Sequence, residues 1–130
     1  MKTSHLFAFG LLVLLTGCTF MSRSDKERYQ ELKQLGIRGD DQRVKNPVTA
    51  GALNLLPGFG NFYLAAGTEE SEQWLYGFLN LLAWPISPIW GIPEAAIDAG
   101  TINKKETVYY YNFSRTGQKE LERLRAGQKN

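Results

Sequence analysis

Two long stretches without a charged side chain constrain the fold of this chain most. Residues 46–68 carry no charge over 23 positions, and residues 73–93 carry none over 21. Pro57 interrupts the first stretch, and Pro85 and Pro88 interrupt the second. Proline removes a backbone donor and clashes with the preceding turn, so neither stretch can form one regular helix. Because a membrane span needs about 20 apolar residues in one helix, we predict short, broken helices here.

These breaks leave two interpretations open. In the first, the two stretches and the acidic turn between them, Glu69–Glu72, form a hydrophobic helical hairpin that is at least partly embedded in a membrane. Broken helices are tolerated there when neighbouring groups satisfy the freed backbone. In the second, the stretches form the core of a compact, soluble, α-rich domain. Trp74, Trp84 and Trp90 suit either an interfacial belt or the bulk of a small core.

The central residues resemble the TM-two domain, a family with two short transmembrane helices joined by a tight loop. The resemblance is carried by "LLPGFGNFYLAAG" (Leu55–Gly67), "YGFLNLLAWP" (Tyr76–Pro85) and "IWGIPE" (Ile89–Glu94). It covers Pro47–Lys104, about half of the chain that follows the signal. The basic or His-Arg insertion that the family usually has before Phe-Tyr is missing, and Glu94 stands where the family tends to have an aspartate. The resemblance implies a hydrophobic hairpin.

The first residues are typical of a bacterial export signal. Lys2 precedes an apolar run of ten residues, Leu6–Leu15, which suits a signal peptide and is too short to span a bilayer. The run leads into "LTGC" (Leu15–Cys18), which resembles the lipobox of bacterial lipoproteins. The resemblance implies that the thiol of Cys18 receives a diacylglyceryl group, that the chain is cut before it, and that the new amino group takes an acyl chain such as palmitate.

Lipidation of Cys18 would place the mature chain in the bacterial cell envelope. Each buried methylene contributes about 0.8 kcal/mol, so several acyl chains hold a protein on a bilayer stably. Thr19 follows the cysteine, where an aspartate commonly marks inner-membrane lipoproteins. We therefore expect an outer-membrane protein that faces the periplasm, or an inner-membrane protein if the hairpin spans. The expected partners are membrane lipid, bound through acylated Cys18, and an envelope protein.

The composition argues against most catalytic chemistry and against nucleic-acid binding. His5, the only histidine, falls in the signal peptide, and Cys18, the only cysteine, would be lipidated. The mature chain then has no imidazole and no free thiol for a nucleophilic triad or a zinc site. The 15 Lys and Arg residues nearly balance the 13 Asp and Glu residues, so there is no strongly basic surface for a nucleic acid. We predict no enzyme activity, no cofactor and no metal site.

Glu94 and Asp98 are the one pair of carboxylates in an apolar setting. They lie four residues apart on a helix that we expect Pro93 to open, so their side chains share a face. We interpret them as acids that favour the positive end of the helix dipole and face water. The alternative is an ion site or a proton relay.

Outside the charge-free stretches, the N-terminal part of the mature chain predicts a short amphipathic helix. Ser24 and Glu27 match a capping box, so the helix should begin near Asp25. Gly36 is a suitable stop for it. The residues from Arg38 to Pro47 then read as a loop.

The C-terminal part predicts an extended segment followed by a helix. "TVYYYNF" (Thr107–Phe113) is β-branched and aromatic, which favours a strand-like conformation. Tyr109, Tyr110 and Tyr111 could stack on a ligand or pack one face on the domain. Thr116 is a suitable cap for the last helix.

These expectations combine into a mainly α protein: a small helical domain built on a hydrophobic helical hairpin with proline breaks, a short β-like segment and a C-terminal helix. The expected boundaries are 1–17 for the removed signal peptide, 18–45 for the lipidated N-terminus with its linker and short helix, 46–103 for the hairpin domain, and 104–130 for the aromatic segment and last helix. The predicted function is a non-catalytic structural or interaction role at the membrane. The alternatives are a binding module for a lipid or other apolar ligand, and a soluble tethered domain that scaffolds an envelope complex. Besides the lipidated Cys18, the candidate interaction residues are Trp74, Trp84, Trp90, Glu94, Asp98, Tyr109, Tyr110 and Tyr111.

Overall fold

The computed structural model describes residues 19–128, and within that range the chain forms six α-helices and no strand. They are α1 (Arg23–Gln34), α2 (Pro47–Leu53), α3 (Phe59–Ala65), α4 (Glu72–Leu82), α5 (Pro88–Phe113) and α6 (Arg115–Gly127). The predicted mainly α class is therefore confirmed. Cys18 and the predicted signal peptide lie outside the described residues.

Proline and capping residues set the helix boundaries in the charge-free stretches. The side chain of Asn46 accepts hydrogen bonds from two backbone N–H groups at the start of α2, and Pro47 takes the first helical position. Between α2 and α3 the chain turns at Pro57. Between α4 and α5 it turns at Pro85, ahead of Pro88. The predicted breaks are confirmed at both places.

The two turns lie at the same end of the molecule. Asn54, at the end of α2, donates from Nδ2 to the carbonyl oxygen of Gly91 at 2.6 Å, which places the first turn beside the start of α5. At the opposite end, Lys45 donates from Nζ to the carbonyl oxygen of Tyr63 at 2.6 Å and from its backbone N–H to Asn103 Oδ1 at 2.9 Å. Helices α2 and α3 therefore run antiparallel. We call the end formed by the two turns, residues 54–58 and 83–87, the apolar tip.

Helix α5 corrects two predictions. It begins at Pro88 and not at Pro93, which lies inside it. It also continues through Thr107–Phe113, which we had predicted to be extended. The local β preference is overridden because the helical spacing buries Val108 and Tyr111 together in one core.

That core belongs to what we call the charged region, which consists of α1, α6 and residues 103–113 of α5. Its buried members come from all three helices and from the segments beside α1: Met21, Leu32, Ile37, Val108, Tyr111 and Leu121. Ser22 caps α1 by accepting from the N–H of Asp25 at 3.1 Å, and Ser114 caps α6. Both helices thus begin about two residues before the predicted start.

The rest of the structure, α2, α3, α4 and residues 88–102 of α5, is called the apolar-faced region. Its buried apolar core is small and consists of Ala50, Leu64, Ala95, Ala99 and Ile102. Small residues let α2 approach α5 closely: a Cβ on Gly51 would lie 3.3 Å from the carbonyl oxygen of Ile92. Most of the large apolar side chains of this region point outward instead.

Candidate functional site

A chain of buried polar side chains runs through the apolar-faced region. Trp90 donates from Nε1 to Asn80 Oδ1 at 3.0 Å, and Asn80 donates from Nδ2 to Asn61 Oδ1 at 2.9 Å. Asn61 donates from Nδ2 to Gln73 Oε1 at 2.8 Å, and Gln73 donates from Nε2 to Asp98 Oδ2 at 2.7 Å. Every donor in this series points toward the carboxylate, so the hydrogen bonds reinforce one another along the series. We call these five residues the polar network.

The carboxylate end of the network is also bonded to the start of the described chain. The backbone N–H of Thr19 donates to Asp98 Oδ1 at 2.8 Å, and Gln73 Nε2 donates to the Thr19 hydroxyl at 2.9 Å. Asp98 is completely buried in the middle of α5. Burial raises the pKa of Asp98, and the hydrogen bonds from Gln73 and Thr19 partly oppose that shift.

A branch of the network closes the turn between α2 and α3. Asn54 donates from Nδ2 to Asn61 Oδ1 at 3.1 Å as well as to the carbonyl of Gly91, and its Oδ1 accepts from the N–H of Gly60 at 2.8 Å. This one amide thereby bonds α2, α3 and α5 together. Within residues 19–128, every buried side-chain nitrogen and oxygen has a hydrogen-bond partner.

Glycines allow the helices to come close enough for these short side chains to meet. Gly58 has a φ of 85°, and a Cβ there would lie 2.1 Å from the carbonyl oxygen of Gly77. A Cβ on Gly77 would lie 2.2 Å from the ring of Phe62. Any larger residue at either position would push α4 away from α3.

The outer surface of the apolar-faced region is rich in large apolar side chains. Those at or beside the apolar tip are Leu55, Leu56, Phe59, Leu81, Leu82, Trp84, Ile86 and Ile89. Trp74, Leu75 and Phe78 continue this surface along α4. The region therefore buries amides beside its small apolar core and exposes most of its large apolar side chains, unlike a typical water-soluble domain.

The three tryptophans occupy different positions. Trp84 at the tip is 65% exposed and Trp74 near the start of α4 is 49% exposed, so neither supplies bulk to a core. Trp90 is partly buried and belongs to the polar network. Its indole N–H needs a hydrogen-bond acceptor when it is buried, and Asn80 supplies one where a core of aliphatic residues would not.

Charged side chains lie at the end of the region opposite the apolar tip. The ammonium of Lys45 is buried against the carbonyls at the end of α3, and burial lowers its pKa. Lys105 forms an ion pair with Glu70. Asn103 bonds the backbone of Lys45 in both directions, with its Nδ2 donating to the Lys45 carbonyl at 2.7 Å. These four residues mark where the apolar surface ends, and we call them the charged rim.

Glu94 and Asp98 do not both face water, so that interpretation is wrong. Asp98 is fully buried, and Glu94 is only half-buried one turn nearer the apolar tip. Burial, followed by the nearby charge of Asp98, raises the pKa of Glu94 to about 7. The two acids share a helix face as predicted, but they lie in the second and third turns of α5 and not at its first residues.

The tyrosines of α5 are separated by the helix. Tyr111 lies in the core of the charged region, and burial raises its pKa to about 12. Tyr109 is exposed and its ring lies 5.1 Å from that of Phe113, one helical turn away. Tyr110 is partly buried against the same core. The three rings therefore do not form one stacking surface.

A groove of about 650 Å³ lies between the turn after α3 and the second half of α5. The turn contributes Gly67–Glu70 to its wall, and α5 contributes Tyr109 and Phe113. Asp25 and Glu106 add carboxylates. Among residues 19–128, no group of three or more His, Cys, Asp or Glu side chains is placed to hold a metal ion.

Reasoning from the sequence missed the four amides of the network and its branch, Asn54, Asn61, Gln73 and Asn80. A signal was present for one pair: Gln73 and Asn80 stand seven residues apart with no proline between them, which is two helical turns. Asn54 and Asn61 have the same spacing, but Pro57 breaks the helix between them. Asp98 was found, but its partner Thr19 lies 79 residues away in the sequence and could not be paired with it.

No family model matches the chain, and no curated protein or solved structure matches it significantly. The resemblances to the lipobox and to the TM-two domain thus stay predictions. Among the helices of residues 19–128, none is both long enough and apolar enough to cross a membrane.

Proposed function

We propose that this protein is a lipid-anchored component of the bacterial cell envelope with a non-catalytic role, and that its apolar-faced region inserts into one leaflet of the membrane. The observation that carries the proposal is the reversed distribution of polarity in that region. Fully bonded amides and a carboxyl group lie inside, while Leu, Ile, Phe and Trp side chains lie outside. Apolar surface exposed to water costs roughly 25 cal/mol per Å², and contact with lipid removes that cost.

Hydrogen bonds inside the region support a lipid environment. A bilayer core offers no water to bond a free amide, so polar side chains there turn inward and bond one another. The broken backbone at Pro57 and Pro85 is tolerated under the same condition. The bonds that Asn54 makes at the first turn meet that condition for the backbone of Gly60 and Gly91.

The dimensions favour one leaflet. From Gln73 at the start of α4 to Leu82 at the tip, the helix rises about 14 Å. From Asp98 to Pro88, α5 rises about 15 Å. Both lengths equal about half of the roughly 30 Å hydrocarbon core. The charged rim would then lie among the lipid headgroups, and the charged region would lie in water.

The first test concerns the anchor. In Cys18→Ala, metabolic labelling with palmitate should be abolished, because no other thiol exists in the chain. Thr19→Ser, which keeps the cysteine, is the matched control and should label normally. Labelling that survives Cys18→Ala would refute the lipid anchor.

The second test concerns the depth of the apolar tip. In vesicles whose acyl chains carry bromine near their ends, the fluorescence of Trp84 should be quenched, because bromine quenches indole on contact. Trp84→Phe should remove most of this quenching, while Trp74→Phe should remove little, because Trp74 lies about 15 Å from Trp84 along α4 and its turn. Quenching that is absent while the anchor is intact would refute insertion of the apolar tip into the bilayer.

A second candidate function, a binding module, is favoured by the groove between Gly67–Glu70 and the Tyr109–Phe113 pair. Its wall joins an exposed aromatic pair to several carboxylates, which suits an amphipathic ligand with a positively charged group. Native mass spectrometry of detergent-extracted protein should then show a retained mass. Tyr109→Ser should lose that mass, and Tyr110→Ser should keep it, because Tyr110 does not line the groove. No retained mass in either protein would exclude a tightly held ligand.

A further inference from the structure

The start of the described chain is attached to the fold at two successive points. Thr19 bonds Asp98 and Gln73 of the polar network. Two residues later, Met21 is buried in the core of the charged region. Ser22 then caps α1. There is therefore no flexible linker between position 19 and the folded domain.

The contact at Thr19 involves both carboxylate oxygens of Asp98 and the side-chain amide of Gln73. Asp98 Oδ1 accepts from the Thr19 N–H at 2.8 Å, and Asp98 Oδ2 accepts from Gln73 at 2.7 Å. Gln73 Nε2 divides its donors between Asp98 and the Thr19 hydroxyl. Because Asp98 is fully buried, loss of the Thr19 N–H would leave one carboxylate oxygen without its donor.

We propose that Asp98 and Gln73 form a socket for the residue that follows the lipidated cysteine, so that the anchor is held rigidly against the domain and does not act as a flexible tether. The inference rests on the proposed lipidation of Cys18 and deepens it. Position 19 directly follows Cys18 in the sequence, so a socket for position 19 would reduce the tether between the lipid-bearing residue and the domain to a single peptide bond.

The position of the socket matches the position of the apolar surface. Gln73 stands near the start of α4 and Asp98 lies level with it on α5, about 15 Å from the apolar tip by helical rise. A glyceryl group attached next to Thr19 therefore stands at headgroup depth when the tip reaches the middle of the bilayer. The acyl chains and the apolar tip then enter the same leaflet side by side, and the domain keeps one orientation.

The socket recognises mainly the backbone of position 19. The N–H that Asp98 accepts is present in every residue except proline. The hydroxyl of Thr19 adds the bond from Gln73. Phe20, in contrast, is 70% exposed and offers a position where a probe can report on the motion of the anchor without entering the socket.

The experiment uses the processed, lipidated full-length protein in vesicles, with a nitroxide spin label on Phe20→Cys. Acylation blocks Cys18, so the label reacts at one site. The acyl mass is measured first by mass spectrometry. The spectrum should then show restricted motion in the otherwise unchanged protein, and motion several-fold faster when Asp98→Ala is added.

Asn103→Ala is the matched control, since Asn103 is also buried on α5 but bonds Lys45 and not Thr19. It should leave the label restricted. Thr19→Pro removes the N–H donor together with the hydroxyl that Gln73 bonds, and it should free the label without disturbing a helix because position 19 precedes α1. This variant keeps the test decisive if Asp98→Ala unfolds.

The outcomes are distinct. A label that moves freely in the unchanged protein, with the acyl mass present, overturns the socket and leaves the lipid anchor standing. Equal restriction with and without Thr19→Pro also overturns the socket. Absence of the acyl mass overturns the lipid anchor, and the inference with it.

Discussion

The two regions of this protein contain opposite arrangements of the same kinds of side chain. In the charged region, Leu32, Val108 and Leu121 are buried and the charged side chains of α1 and α6 face outward. In the apolar-faced region, Asn61 and Asn80 are buried while Leu82 and Trp84 are exposed. Helix α5 runs through both regions, so one continuous element changes its arrangement along its length.

The change in α5 occurs near the charged rim. Before it, the exposed side chains are Ile89 and Ile97 and the buried polar one is Asp98. After it, the buried apolar side chains are Val108 and Tyr111. This difference is the basis of the proposal that the two regions have different surroundings, with the boundary at the rim. Four substitutions test this comparison.

The largest effect is expected for Asn61→Leu in the apolar-faced region. Leucine has a similar volume, but it leaves the donors of Asn54 and Asn80 and the acceptor of Gln73 without their partner. Each unsatisfied buried group costs about 1–3 kcal/mol, so the free energy of unfolding should fall by about 4 kcal/mol. Denaturant unfolding in detergent micelles measures it. A loss below about 1 kcal/mol would show that the polar network adds little stability.

Leu32→Ala in the charged region should have the next largest effect. Leu32 is 3% exposed, and removing its side chain leaves a cavity between α1 and α5. Buried Leu→Ala substitutions cost about 2–5 kcal/mol, and we expect about 3 kcal/mol here. The same unfolding measurement applies, with Lys33→Ala as the exposed neighbour for control. If both variants unfold alike, the charged region has no ordinary core.

Glu94→Gln should have a smaller effect, and one that depends on pH. The pKa of Glu94 is raised to about 7 from 4.5, so the folded state keeps a proton that the unfolded state releases. The free energy of unfolding therefore falls as the pH rises through that window. The variant should lose part of this fall and gain about 1 kcal/mol at pH 8, after allowance for partial exposure.

The control for that prediction is Glu122→Gln on the exposed surface of α6, which should leave the pH dependence unchanged. Asp98, whose pKa is also raised by burial, should sustain a residual slope in the Glu94 variant. A pH profile identical to that of the unchanged protein would show that Glu94 is solvated.

The smallest effect is expected for Leu82→Ala, at the end of α4 beside the apolar tip. Leu82 is 82% exposed, so its truncation should change the free energy of unfolding by less than about 0.5 kcal/mol. Leu32→Ala is the same chemical change at a buried position, so the difference between the stability losses of the two variants compares the two regions most directly. Binding to lipid should weaken in the same variant, which a vesicle-partition measurement would detect. Equal stability losses for the two variants would mean that the tip is buried by something else in solution.

Sequence patterns predicted where the helices break, but they did not predict the full extent of α5. The proline turns, the mainly α class and the helical close of the chain are confirmed. The extended segment at Thr107–Phe113 is wrong, because its β preference is weaker than the gain from burying Val108 and Tyr111 together. The predicted helix start at Pro93 is wrong, because α5 begins at Pro88 and contains Pro93 five residues later.

The candidate site was predicted only in part. Asp98 was recognised as a carboxylate in an apolar setting, and the structure places it in a buried network. The amides that surround it were not predicted, because the sequence does not show whether a polar side chain in an apolar stretch is buried or exposed until its hydrogen-bond partner is known. For the aromatic run, the interpretation that one face packs on the domain is confirmed, because the helix turns Tyr111 inward and Tyr109 outward.

What the sequence by itself determined are the local features: the prolines and caps that begin and end helices, the two stretches without charge, and the placement of a single cysteine before Thr19. Only the tertiary structure decided which side of each helix faces inward. That choice depends on hydrogen bonds between distant residues, such as Thr19 with Asp98 or Asn54 with Gly91. Local preferences are worth a few tenths of a kcal/mol per residue, whereas an unpartnered buried amide costs about 1–3 kcal/mol, so the long-range pairing prevails.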